Sequence, residues 1–407
     1  MSEPTSAFAS RDYRYFFISR VLSALGHQME VVALGWLVYA MTQSAFALGL
    51  IGLASFLPVL TMSLISGHVA DRFDRRWIAI ICYCVIALGS LGLIICALIG
   101  REALYAIYAL TVLLGLARSF SNPATQALMP TLVPRDTLPN AISWSTSAWQ
   151  SASIVGPALG GFLYIFGPGT VFGIAGLMFI CSAMSLYSIH TRPAAQKREP
   201  ATLDAALAGI RFMRQKPVIF GAISLDLFAV LLGGASALLP VYAHDILMTG
   251  PWGLGVLRSA ISVGAILMAI VLTRFPVSRK SGHTMLISVA VFGLTIIVFG
   301  LSTNFWLSLA ALLVMGASDM ISVYIRQTLV QSETPDEMRG RVSAVSTVFI
   351  GASNELGEFE SGMMAAALGT VPSVVLGGIG TLLVVALWAY FFPSLRNRDR
   401  LLSDSNE

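Results

Sequence analysis

The chain has 407 residues, of which 56% are hydrophobic and only 11% charged, with a mean hydropathy of +0.78. A water-soluble domain carries about 25% charge, so this much apolar surface needs lipid around it, and the chain reads as an all-α membrane protein. The net charge of +4 is too small to imply a nucleic-acid partner. The four cysteines sit inside apolar runs without metal-type spacing, as buried free thiols do. Neither a metal nor any other cofactor is expected.

Crossing the hydrocarbon takes about 20 helical residues. The first 14 residues are polar and the run after them is full length, so no cleavable signal is expected. Runs bounded by charged or Pro/Gly-rich breaks predict twelve spans, at 15–41, 45–67, 77–99, 103–121, 140–166, 170–190, 217–242, 253–274, 284–302, 305–326, 341–369 and 372–392. The longest connection, 191–216, holds Arg192, Lys197, Arg198, Arg211, Arg214 and Lys216. It divides the chain into an N-terminal six-helix bundle (1–190) and a C-terminal one (217–395), with a tail over 396–407. Pro193 and Pro200 make 191–203 a linker. In 204–216, Leu207 and Ile210 lie opposite Arg211 and Arg214, a pattern that suits a helix on the inner membrane surface.

Lys and Arg should gather in alternate connections if these spans are right. With the N-terminus in the cytoplasm, all but four of the 25 basic residues fall in the tails and cytoplasmic connections or at their borders. The four are Arg101, outside, and Arg20, Arg118 and Arg258, within spans. The asymmetry predicts a multi-pass membrane protein with both termini in the cytoplasm.

Ionisable residues at membrane depth cost at least ~2.5 kcal/mol each, so they face a cavity or a partner. Glu30, Asp226, Asp319, Glu355 and Glu358 all fall deep within their spans. Arg20, Ser23, His27 and Glu30 share one helical face. There His27 and Glu30 could share a proton, or Glu30 could stay ionised against Arg118. Asp319, Ser322 and Arg326 form a second stripe, and Asn354, Glu355 and Glu358 a third, with Glu360 turned elsewhere. Asp226 stands alone on its helix, with Arg258 as its possible partner. Proton-coupling candidates are therefore Glu30, His27, Asp226, Glu355, Glu358 and Asp319, and cavity charge partners are Arg20, Arg118, Arg258 and Arg326. Trp36, Trp144, Trp149 and Tyr324 are candidate substrate contacts, although such rings also face lipid. Ser143, Ser147 and Ser151 mark a wet face. The excess of deep acids favours a cationic or zwitterionic cargo, or proton traffic.

Two motifs carry a resemblance. In the loop after the second span, Gly67, Asp71, Arg72, Arg75 and Arg76 match Gly-x-x-x-Asp-Arg-x-x-Arg-Arg/Lys, with Asp74 at the position usually held by glycine. In the fifth span, Gly156, Pro157, Gly160 and Gly161 match the antiporter motif Gly-x-x-x-Gly-Pro-x-x-Gly-Gly, with Ala152 replacing the first glycine. With twelve spans and a central basic loop, the chain resembles the major facilitator superfamily. DYRYFFISRVLSALG at 12–26, FSNPATQALMPTLVP at 120–134, TPDEMRGRVSA at 334–344 and SNELGEFESG at 353–362 are similar to its enterobactin-exporter-like branch of siderophore and drug exporters. The resemblance implies two bundles rocking about a central pocket. Asp71 would cap a helix of the other half and the arginines would pair with acids, a cytoplasmic latch. The same cluster also reads as a topology signal alone, and the glycine motif as tight packing alone. The second half's loop, 273–282, keeps Arg274, Arg279 and Lys280 but lacks the Asp-Arg core.

No phosphate-binding Gly-x-x-x-x-Gly-Lys loop is present, so ATP is not expected to drive this chain. The expected function is proton-coupled export of a siderophore, drug or other small amphiphile by a monomer. Uptake, or flipping of a lysophospholipid, is the alternative. An anionic siderophore conflicts with the excess of deep acids. An intramembrane enzyme would need a convergent catalytic set that is absent from the sequence.

Overall fold

The computed structural model describes residues 6–190, 203–277 and 279–399. Among them the chain forms helices and turns without a strand. The first half holds α1 (Arg11–Thr42), α2 (Ala45–Arg72), α3 (Arg75–Ile99), α4 (Leu104–Leu128), α5 (Leu138–Leu163) and α6 (Pro168–Tyr187). The amphipathic α7 (Leu203–Gln215) leads to α8 (Pro217–Leu232), α9 (Gly250–Arg274), α10 (Ser281–Leu301), α11 (Phe305–Glu333), α12 (Asp336–Leu368) and α13 (Thr370–Phe391). Side chains start several of them. Ser10 Oγ accepts from Tyr13 N at the head of α1, Asp74 from Arg76 N at α3, and Asn304 from Trp306 N and Leu307 N at α11. Each satisfies backbone donors that the helix leaves open.

Apart from 217–242, the predicted spans fall on helix to within three residues at their ends. Ten segments among the described residues are long and apolar enough to cross a membrane. α5 and α12 are not among the ten, because polar residues interrupt them: Asn140, Ser143, Ser147, Gln150 and Ser151 on α5, and Asn354, Glu355, Glu358 and Glu360 on α12.

The predicted span 217–242 is not one helix. α8 stops at Leu232, a 3-10 turn follows over Ala235–Leu238, and a π-turn closes the segment over Tyr242–Ile246. The Gly233-Gly234 pair causes the break, and it also lets α12 close in. A Cβ on Gly234 would lie 2.4 Å from Gly357 O.

The helix at 204–216 also differs from its expectation. Ile210, Phe212 and Met213 of α7 pack with Ile219, Ile223, Val330, Val342 and Val345 of α8, α11 and α12. Met213 is thereby buried and Ile210 and Phe212 partly buried, so protein covers part of the apolar face.

The contacts divide the chain into two compact units. One comprises Met1–Gln43, Ala54–Ala201 and Gly250–Ser259, and the other Ser44–Leu53, Thr202–Thr249 and Ala260–Glu407. In the first, α1 packs on α5 and α6, and α3 on α4 and α6. In the second, α8 packs on α12 and α13, and α10 on α11 and α13. The second set repeats the first, with α8 in the place of α1 and α11 in the place of α4.

Candidate functional site

In the first unit, α1 turns Glu30 inward until it is 2% exposed. Arg118 of α4 donates from Nη2 to Glu30 Oε2 at 2.8 Å, and Ser90 of α3 donates to Oε1. The carboxylate therefore holds partners on both oxygens, which offsets the cost of burying its charge. Of the two alternatives for Glu30, this geometry is the Arg118 pair. One turn earlier, the His27 ring stacks on Trp149 of α5, with centroids 6.1 Å apart and planes at 26°. The Arg20 guanidinium lies 5.5 Å from the same indole, a cation–π arrangement. His27 Nδ1 is buried without a hydrogen-bond partner.

The α5 glycines set these distances. A Cβ on Gly156 would meet Gln28 Cβ at 2.5 Å, and one on Gly160 would meet Met29 Cα at 3.0 Å. Gly161 faces the other way, where a Cβ would meet Pro251 O at 2.4 Å and Gly255 Cα at 3.0 Å. Pro157 is buried within the same helix. Small residues at this spacing let helix backbones approach.

In the second unit, Asp226 of α8 and Arg326 of α11 form an ion pair with both side chains buried. Arg326, not Arg258, is the partner of Asp226. It could not be chosen from sequence because α11 lies 100 residues away in the chain. The repeat makes the choice intelligible. Acid on α1 with arginine on α4, and acid on α8 with arginine on α11, are one joint built twice.

That second pair borders a cavity of about 230 Å³, lined by Asp226, Asp319, Arg326, Asn354 and Glu358 among other residues. Gly233, Gly234 and Ser236 of the broken segment also reach it. In a chain surrounded by lipid, irregular backbone is tolerated where it lines a cavity. Three carboxylates and one guanidinium line this cavity. Ser322 lines a small adjoining void with Asp226 and Asp319. Glu355 is half-buried and outside the lining of the larger cavity.

The remaining predicted residues are dispersed. Trp36 is buried against Tyr164. Trp144 joins Phe8 and Phe17 in an aromatic cluster at the start of α1. Tyr324 packs on the α8, α10 and α11 core. Arg258 is half-buried near the start of α9, and Ser143, Ser147 and Ser151 are exposed. In the loop motif, Gly67 has open space around it, Arg72 is exposed, and the Asp71 side chain lies outside the described residues. Arg75 donates to Ala70 O and Ala127 O at 3.1 and 3.3 Å. Arg76 donates to Tyr187 O at 2.7 Å, so a helix-end carbonyl receives it where an acid was expected. Sequence reading missed Ser90, which carries no distinguishing signal, and the Gly233-Gly234 break, which an adjacent glycine pair inside an apolar run could have flagged.

Residues 2–406 match the family model described as transmembrane secretion effector. Enterobactin exporter EntS of Escherichia coli (strain K12) is 26% identical over 387 residues, covering 95% of this chain and 92% of the relative. The protein of the same name from Citrobacter koseri is 27% identical over 386 residues, covering 94% and 92%. Among solved structures, the chain is similar to a bacterial homolog of the human lysosomal transporter Spinster, in its inward-facing and occupied conformation. The TM-score is 0.75 at 14% identity, over 98% of this chain and 100% of that one. It is also similar to a D-xylose-proton symporter, at TM-score 0.72 and 14% identity over 95% and 99%. At these identities the structures speak for the fold alone, while the family match spans almost every residue. The chain belongs to the transmembrane secretion effector family of the major facilitator superfamily and is a multi-pass membrane transporter.

Proposed function

We propose that the chain is a proton-coupled exporter of a small amphiphile, of the siderophore class that its relatives' name indicates, working as a monomer by alternating access. In this reading it spans a bacterial inner membrane twelve times, in two six-helix bundles with both termini in the cytoplasm. The observation that supports it most is the α8–α11–α12 cavity, where Asp226, Asp319 and Glu358 meet the single cation Arg326. Charge at such depth is costly unless it is neutralised. A proton reaching Asp226 would release Arg326 to another carboxylate or to cargo, and would leave when the cavity opens to the other side. Glu30 with Arg118 would serve as the matching joint of the first unit. The loop motif at 67–76 would act as the cytoplasmic latch. One proton crossing the membrane carries about 2.3 kcal/mol per 100 mV, enough to bias such an exchange.

The test is flux in oriented proteoliposomes carrying a cargo found by a growth-inhibition and siderophore-secretion screen of a deletion strain. Glu30→Gln or Asp226→Asn should abolish pH-driven efflux while the protein still folds. Full activity in both variants removes the coupling assignment, and net uptake removes export.

A further inference from the structure

α3 and α6 run antiparallel, and a groove of about 550 Å³ lies along their shared face, lined by Cys84, Leu88, Leu91, Gly173, Gly176 and Ile180 among others. The register is fixed at several points. Trp77 meets Tyr187 edge to face at 6.0 Å, a Cβ on Gly176 would meet Ser90 Cβ at 3.3 Å, and one on Gly173 would come no closer to Ile94 than 3.9 Å. Towards the α3 start, Ile81 and Met184 are exposed and carry the apolar surface from the groove to Trp77 and Tyr187. There the Arg76 guanidinium lies 5.9 Å from the Trp77 ring and 5.6 Å from the Tyr187 ring. It gives one donor to Tyr187 O at 2.7 Å, while its buried Nε has no hydrogen-bond partner. Arg72, exposed at the end of α2, adds positive charge at the same level.

We infer that this face is a binding site for one anionic glycerophospholipid, its phosphate on Arg76 and an acyl chain in the α3–α6 groove. The dimensions fit. Ala87, opposite Gly176, stands 11 residues beyond Arg76, which is about 16 Å along a helix, and half of the hydrocarbon core is about 15 Å. A chain leaving the Arg76 level crosses Ile81 and Met184 and ends over Gly176. The aromatic pair sits at the level where Trp and Tyr rings favour the interface. An arginine there prefers a phosphate with net negative charge over a zwitterionic headgroup.

Native mass spectrometry of the detergent-purified full chain, incubated with equal amounts of phosphatidylglycerol and phosphatidylcholine of the same acyl composition, tests the site without reference to transport. The expected result is one retained lipid per chain with about fivefold preference for phosphatidylglycerol. Arg76→Gln should remove the preference and Arg76→Lys should keep it. Gly173→Phe, which leaves Arg76 in place and fills the groove, should lower retention of both lipids. Equal retention of the two lipids by the unsubstituted chain overturns the inference, as does a preference that survives Arg76→Gln or retention unchanged by Gly173→Phe.

Discussion

Arg118 Nη2 donates to Glu30 Oε2 at 2.8 Å, joining α4 to α1, while Ser90 of α3 holds the other carboxylate oxygen. Three helices of the first unit thus share one buried charge. The pair recurs between α8 and α11 as Asp226 and Arg326. Arg326 is more deeply buried than Arg118, at 3% against 19% side-chain exposure, and it borders the cavity. The two joints are alike in construction and differ in the burial of their arginines.

Removing one member of the first joint should cost more than removing both. Arg118→Ala leaves Glu30 buried with Ser90 alone and is expected to destabilise the protein by about 3–5 kcal/mol. The double variant Glu30→Gln with Arg118→Gln should recover most of that loss. Thermal unfolding in detergent, arranged as a double-mutant cycle, measures the coupling; strictly additive effects would mean that the pair does not act as a unit.

The second joint should tolerate reversal better than interruption. Asp226→Arg or Arg326→Asp alone places two like charges together at depth, and folded yield should fall steeply. The combined exchange restores opposite charges and should restore yield, measured by gel filtration of the solubilised protein. If the exchanged pair is no better than either single variant, the partner assignment is wrong.

Gly161 should accept no side chain. Its Cβ would fall 2.4 Å from the backbone oxygen of Pro251, and backbone cannot move aside as a flexible side chain does. Gly161→Leu should force α5 and α9 apart and lower the melting temperature sharply. Gly351→Ala is the control, because a Cβ there meets nothing within 4 Å. It should be neutral or gain about 0.5–1 kcal/mol in helix propensity.

The C-terminal residues should contribute to stability despite their position. Asp399 Oδ1 accepts from Lys280 N at 3.0 Å, Asp399 O from Ser281 N at 3.1 Å and Arg398 O from Gly282 N at 3.0 Å. Arg398 also pairs with Glu333 at the end of α11. The tail thereby caps α10, whose own loop lacks an Asp-Arg core. Truncation before Arg396 should cost about 1–3 kcal/mol, by thermal unfolding of the full chain against the shortened one.

The amphipathic segment at 204–216 shows how far local pattern reaches. Its period placed a helix correctly, and α7 spans Leu203–Gln215. The same period could not say what would cover Ile210 and Met213, because lipid headgroups and the flank of α12 satisfy an apolar stripe equally well. Asp226 has a similar lesson. Its depth marked it as needing a partner, and depth alone left Arg258 and Arg326 both available.

Hydropathy and charge along the chain determined the solvent, the helical class and nearly every helix position, since in hydrocarbon each helix must close its own backbone hydrogen bonds and so declares itself locally. Charge and glycine motifs also carried the family. Only the tertiary structure decided which arginine meets which acid, where α8 breaks, and which residues share a cavity. Those depend on the rotation and depth of helices about 90 to 130 residues apart in sequence, where the packing of glycines and buried charge against a neighbour is fixed by the neighbour's surface.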